Sequence, residues 1–102
     1  MYVIREVFTA KPGQASKLAK LFKKSFAAMP EMKARVMTDM VGSYNTVVME
    51  VEVDSLAKWE KEMAAHRSDQ SDANMDPELA KEMSSYTEMY LTGRREIFQI
   101  LE

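Results

Sequence analysis

Between Val47 and His66 the hydrophobic period of the chain switches from that of a strand to that of a helix with almost nothing in between. Val47, Met49, Val51 and Val53 alternate with Val48, Glu50 and Glu52, which is a strand pattern. Leu56, Trp59, Met63 and His66 then recur at spacings of three and four, which is a helix pattern. Only Asp54 and Ser55 separate the two, and either side chain can cap a helix N-terminus. This helix carries the only Trp and the only His of the 102 residues. Seven residues at about 100° each fall about 20° short of two turns, so Trp59 and His66 share a face.

The flanking sequence repeats the same two periods. Met1 to Thr9 reads as a strand with Tyr2, Ile4, Glu6 and Phe8 on one face and Val3, Arg5, Val7 and Thr9 on the other. Lys11-Pro12-Gly13 ends it. A helix is predicted from Gln14 to Met29, with Leu18, Phe22, Phe26 and Met29 as its buried stripe and Leu21 and Ser25 beside them. Lys17, Lys20, Lys23 and Lys24 lie largely off that stripe and form a solvated face, and Pro30 stops the helix. A second strand is predicted over Arg35–Val41. The bend Gly42-Ser43-Tyr44-Asn45 turns it back into the Val47 strand as an antiparallel hairpin.

Beyond His66, Arg67 to Met75 is polar and aperiodic and reads as a loop. Asp76 caps a predicted third helix, with Pro77 in first position and Leu79, Met83, Tyr86 and Tyr90 as its stripe. Gly93 is read as its C-terminal cap, and Arg94–Leu101 as the last strand. The order β-α-β-β-α-(α)-β over residues 1–102 predicts a single α+β domain of ferredoxin-like type, a four-stranded antiparallel sheet with its helices on one face. Both strand parities carry apolar residues: Val3 and Val7 oppose Ile4 and Phe8, and Ile97 and Leu101 oppose Phe98 and Ile100. A chain this short has too few helices to cover both sheet faces. A second copy covering the open face, as a homodimer, is therefore expected.

Composition narrows the functional classes. A net charge of −2 lacks the basic footprint of a nucleic-acid binder. No apolar run approaches the roughly 20 residues of a membrane span, and the N-terminus alternates like a strand, unlike a signal peptide. The absence of Cys removes thiolate metal sites and cysteine catalysis and fits a reducing cytoplasm. With one His and no Cys, neither a metal nor a cofactor is expected. Ten Met residues suit an adaptable core or cavity. Charges also fall within the strands, at Arg5, Glu6, Glu50, Glu52, Arg95 and Glu96. Buried charges must be paired, and Arg5 or Arg95 with Glu50 or Glu52 are the expected pairs.

Lys11-Pro12-Gly13 before the first helix, Trp59 in the helix after the third strand, and the ending Gly93-Arg94-Arg95-Glu96-Ile97-Phe98-Gln99-Ile100-Leu101 together carry a resemblance. The chain resembles the dimeric α/β-barrel superfamily, and within it the NIPSNAP-like and antibiotic-biosynthesis-monooxygenase-like groups. The resemblance implies two protomers packing their sheets into a barrel, with a small apolar or aromatic molecule in the cleft between sheet and helices. Trp59, Met63, Tyr86 and Phe22 would line that cleft, and His66 would be the catalytic candidate as a proton acceptor. The implied alternatives are a cofactor-independent monooxygenase acting on a phenol or quinol, and a non-catalytic dimerisation module. Relatives that degrade haem use a first-strand Asn. Here the only Asn residues are Asn45 and Asn74, so the chain departs from that pattern. The same side chains also suit plain structural roles, Trp59 as a core anchor and His66 as a polar helix end.

Overall fold

The computed structural model describes residues 1–66 and 77–101, with the side chains of residues 65, 66, 79, 80 and 83 outside that description. The loop expected at Arg67–Met75 and the cap expected at Asp76 lie outside the described residues. Strand β1 spans Tyr2–Ala10, helix α1 Ala15–Ala27, β2 Lys33–Thr38, β3 Thr46–Val53, helix α2 Leu56–His66 and helix α3 Pro77–Met83. A 3-10 turn at Tyr86–Glu88 leads into β4, Tyr90–Gln99. The strands form one antiparallel sheet in the order β2-β3-β1-β4. This is the predicted α+β, ferredoxin-like arrangement.

The register explains the core. Phe8 lies opposite Val47 on one side and Gly93 on the other. On that face α1 lowers Leu18 and Phe22 onto Phe8, Ala10 and Val47. Gly13, at φ +83°, makes the turn into α1 that a residue with a Cβ resists. The helix ends at Ala27, two residues before the expected Met29, because a residue preceding proline is pushed out of helical geometry. Of the two candidate caps for α2, Ser55 does the work: its Oγ accepts from the Lys58 N–H at 3.3 Å.

Two boundaries differ from expectation. The second strand runs Lys33–Thr38, not Arg35–Val41, and Met40 and Val41 are both 98% exposed. Asp39 is the cause. Its Oδ1 accepts from the Thr46 N–H at 2.9 Å, closing the hairpin before the alternating residues can pair. Tyr44 and Asn45, both at positive φ, complete the loop. The helical stripe expected to reach Tyr90 also stops short, since Tyr90 already begins β4. Gly93 is therefore a mid-strand residue and not a helix cap. A Cβ on it would meet two Phe8 ring carbons at 3.0 Å, so it is the flat surface on which the Phe8 ring lies.

Candidate functional site

The sheet–helix cleft is built from the helix-facing residues of β1, β3 and β4. Glu6 and Arg95 are direct cross-strand partners on this face, and the Arg95 guanidinium pairs with the Glu6 carboxylate. The same guanidinium lies 5.1 Å from the centre of the Trp59 ring, a cation–π arrangement that fixes the indole over the sheet. Arg95 thus joins α2 to the sheet. The expectation that Arg95 pairs with Glu50 or Glu52 is corrected, because those carboxylates belong to β3 whereas β4 borders β1 alone.

Trp59, Met63, Tyr86 and Phe22 are not brought to one place. Trp59, half-buried, lines a cavity of about 400 Å³ whose apolar wall includes Met29, Met32, Val51 and Val53. Met63, one turn further along α2, is half-buried. Phe22 is 2% exposed and belongs to an aromatic stack, 5.3 Å from Phe8 and 5.9 Å from Tyr86 between ring centres. Tyr86 and Tyr90, with Glu6 and Arg95, border a second cavity of about 290 Å³. Burial pushes the Tyr86 hydroxyl above its usual value, with Tyr90 and Glu6 adding to the effect and Arg95 opposing it. It therefore stays protonated and can donate a hydrogen bond. His66 closes α2, and its side chain lies outside the described residues.

Glu6 and Arg95 are site residues that periodicity alone does not pair. The signal was available in the strand order, since a ferredoxin-like sheet sets the last strand beside the first. Chemically, the two cavities differ: the first offers an indole face and a methionine wall ringed by charged residues, the second an ion pair beside a protonated phenol. Among the described residues there is no helix long and apolar enough to cross a membrane.

The opposite sheet face carries a second constellation. Glu50, 4% exposed, accepts from Arg35 Nη2 at 2.9 Å and from Arg5 Nη2 at 3.4 Å. The Arg35 hydrogen bond holds the Glu50 carboxyl below its usual value of 4.5, against the opposing effect of burial. A carboxyl depressed in the folded state stabilises the fold above its unfolded value and loses that contribution as pH falls through the folded one. Native protein is expected to exceed Glu50→Gln in stability by a constant margin near neutrality. The margin should shrink below pH 4.5, the ordinary carboxyl value. Urea midpoints at about pH 7 and about pH 3 read this directly.

No family model matches the chain, and no curated protein matches it. Solved structures do. A NIPSNAP family protein from Agrobacterium tumefaciens superposes with a TM-score of 0.75 at 11% identity, over 99% of this chain and 93% of that one. A NIPSNAP domain protein from Burkholderia xenovorans gives 0.66 at 15% identity, over 99% and 95%. SnoaB, a cofactor-independent oxygenase from Streptomyces nogalater, gives 0.65 at 10% identity, over 99% and 93%. The chain has the fold shared by NIPSNAP-like and antibiotic-biosynthesis-monooxygenase-like proteins. At these identities the likeness defines the fold, and the site has to argue the function.

Proposed function

We propose that this chain is a NIPSNAP-like protein that works as a homodimer and binds a small apolar or aromatic molecule in the cleft between its sheet and helices. The observation that carries the reading is the cavity of about 400 Å³ that sets Met29, Met32, Val51 and Val53 beside Trp59, with Glu31, Lys33, Glu52, Asp54, Lys58 and Glu62 as its charged lining. Met63 extends the same helix face. Tyr86 supplies a donor from the neighbouring cavity, and Phe22 acts from below by holding Tyr86 in place. His66 is the proton acceptor if the bound molecule reacts. The dimer follows from the open sheet face, where Met37 is 37% and Phe98 46% exposed beside Val3, Val7 and Val48. A reducing cytoplasm suits a chain without Cys.

The likeness to a cofactor-independent oxygenase favours a second reading, oxygenation of a phenol or quinol that itself activates oxygen. One experiment covers both. Emission of Trp59, the only tryptophan, is followed on titration with quinols, phenols, flavins and haem, and oxygen uptake is then measured with whichever ligand binds. Saturable quenching is expected, weakened about tenfold or more in Met32→Lys, which puts a further charge among the apolar contacts of Met29, Val51 and Val53. Uptake that is lost in His66→Ala while binding persists assigns catalysis. If no ligand in the panel quenches saturably, the cleft reading fails and a dimerisation module remains.

A further inference from the structure

The two cavities are linked through one side chain. The first, of about 400 Å³, has Trp59 in its lining but neither Glu6 nor Arg95. The second, of about 290 Å³, has Glu6 and Arg95 beside Phe8, Tyr86 and Tyr90, but not Trp59. Arg95 reaches from one to the other. Its Nε donates to Glu6 Oε1 and its Nη2 pairs with the same oxygen, while its guanidinium carbon lies 5.1 Å from the centre of the Trp59 ring. A guanidinium can do both at once. Its N–H donors lie in its plane, so a carboxylate at the edge leaves the flat cationic face free for an indole.

We infer that Glu6 and Arg95 are positioning residues for the first cavity: they set the tilt of Trp59 from a neighbouring cavity that the ligand does not enter, so the second cavity governs binding in the first. This rests on the cleft reading proposed above and names what regulates that site. Arg95 stands on β4, an edge strand, with its side chain 39% exposed. An unpaired arginine there would spread over many rotamers and cover the ring only part of the time. Glu6 removes that freedom. It stands on an interior strand between Ile4 and Phe8, which are 3% and 7% exposed on the same face, so its carboxylate is a firm anchor. Trp59 is the only aromatic residue in the lining of the first cavity among the described residues, so the tilt of its ring sets the gap left for a flat molecule. Contact energy is steep in that gap: a radial error of about 0.5–1 Å forfeits about a quarter to a half of the dispersion attraction.

The test reads Trp59 without ligand first. Acrylamide quenching of its emission and the near-ultraviolet circular dichroism of the indole are compared in the native chain, Glu6→Gln, Arg95→Lys and Arg94→Lys, each confirmed as folded by far-ultraviolet circular dichroism. Lysine at position 95 keeps the charge and can keep the ion pair with Glu6, but it has no flat face for the ring. A merely structural role is therefore rescued by Arg95→Lys, and a positioning role is not. Glu6→Gln and Arg95→Lys are each expected to raise the quenching constant about twofold and to diminish the indole dichroism. Arg94→Lys should match the native chain, because the Arg94 guanidinium pairs with Glu96 at 3.5 Å. Native spectra in Glu6→Gln or Arg95→Lys, or an equal change in Arg94→Lys, overturn the positioning role. Arg95→Lys, an exposed substitution, decides the point if Glu6→Gln does not fold. The second measurement uses whichever quinol, phenol, flavin or haem quenches the native chain saturably. Both variants should bind it about threefold to tenfold more weakly, although neither residue lines its cavity. Equal affinity overturns the control of the first cavity by the second. If nothing in the panel binds the native chain, the cleft reading fails and this control with it, while the unliganded spectra still uphold or overturn the support of Trp59.

Discussion

Replacing Phe22 by alanine is expected to remove about 3–5 kcal/mol of folding stability. The ring is 2% exposed and sits at the centre of an aromatic stack, between Phe8 at 5.3 Å and Tyr86 at 5.9 Å. Its loss would open a cavity beneath α1 and withdraw the support of Tyr86 at once. Urea unfolding followed by circular dichroism measures the change, and a loss below about 1 kcal/mol would mean that the stack is not the core. The effect bears on the cleft as well. Tyr86 rests on Phe22, so Phe22→Leu, which keeps most of the volume, should perturb ligand binding less than it perturbs stability.

Gly93→Val is the second large effect, and its sign is opposite to what local preference suggests. Valine favours strands and glycine weakens them, so a mid-strand replacement would ordinarily stabilise. Here the new Cβ would meet Phe8 Cδ1 and Cε1 at 3.0 Å. Phe8 cannot easily retreat, because Phe22 and Tyr90 hold it at 5.3 Å and 4.7 Å. We expect Gly93→Val to destabilise by about 1–3 kcal/mol, with Gly93→Ala intermediate. A thermal melt in which the valine variant unfolds above the native protein would show that the ring is free to move aside.

Local periodicity was enough to find the sheet and the first two helices. Alternation in Tyr2–Ala10 and Thr46–Val53 and the stripe through Leu18 and Phe22 depend on neighbours in sequence, and all three are observed. The errors arise where a distant contact overrules a local pattern. Met40 and Val41 keep the strand rhythm, but the Asp39 side chain takes the Thr46 N–H and ends the ladder. Gly93 looks like a helix cap until Phe8, 85 positions away along the chain, is laid over it. The site divides for the same reason. Trp59 does point inward as its spacing required, yet Arg95 stacks on it, and Phe22 and Tyr86 join Phe8 and Tyr90 instead. Of the expected ion pairs, Arg5 with Glu50 is present, while Arg95 chose Glu6. Arg35 stood outside the pairing expectation, although it makes the shorter contact to Glu50. Only the strand order reveals that contact.

The grouping of Arg35, Glu50 and Arg5 on the sheet face away from the helices has a consequence during folding. Side chains alternate between faces along a strand, so a slip of one residue in pairing would carry every side chain of that strand to the wrong side. For β3 such a slip would drive Glu50 and Glu52 into the layer occupied by Leu18 and Phe22, and leave Val47 in water. For β1 it would do the same with Arg5. A misaligned sheet would therefore bury unpaired charge, which few errors can survive. Hydrophobic residues alone, present on both faces, discriminate poorly between the two registers. Glu50, Arg5 and Arg35 supply the penalty that makes the correct alignment the only tolerable one.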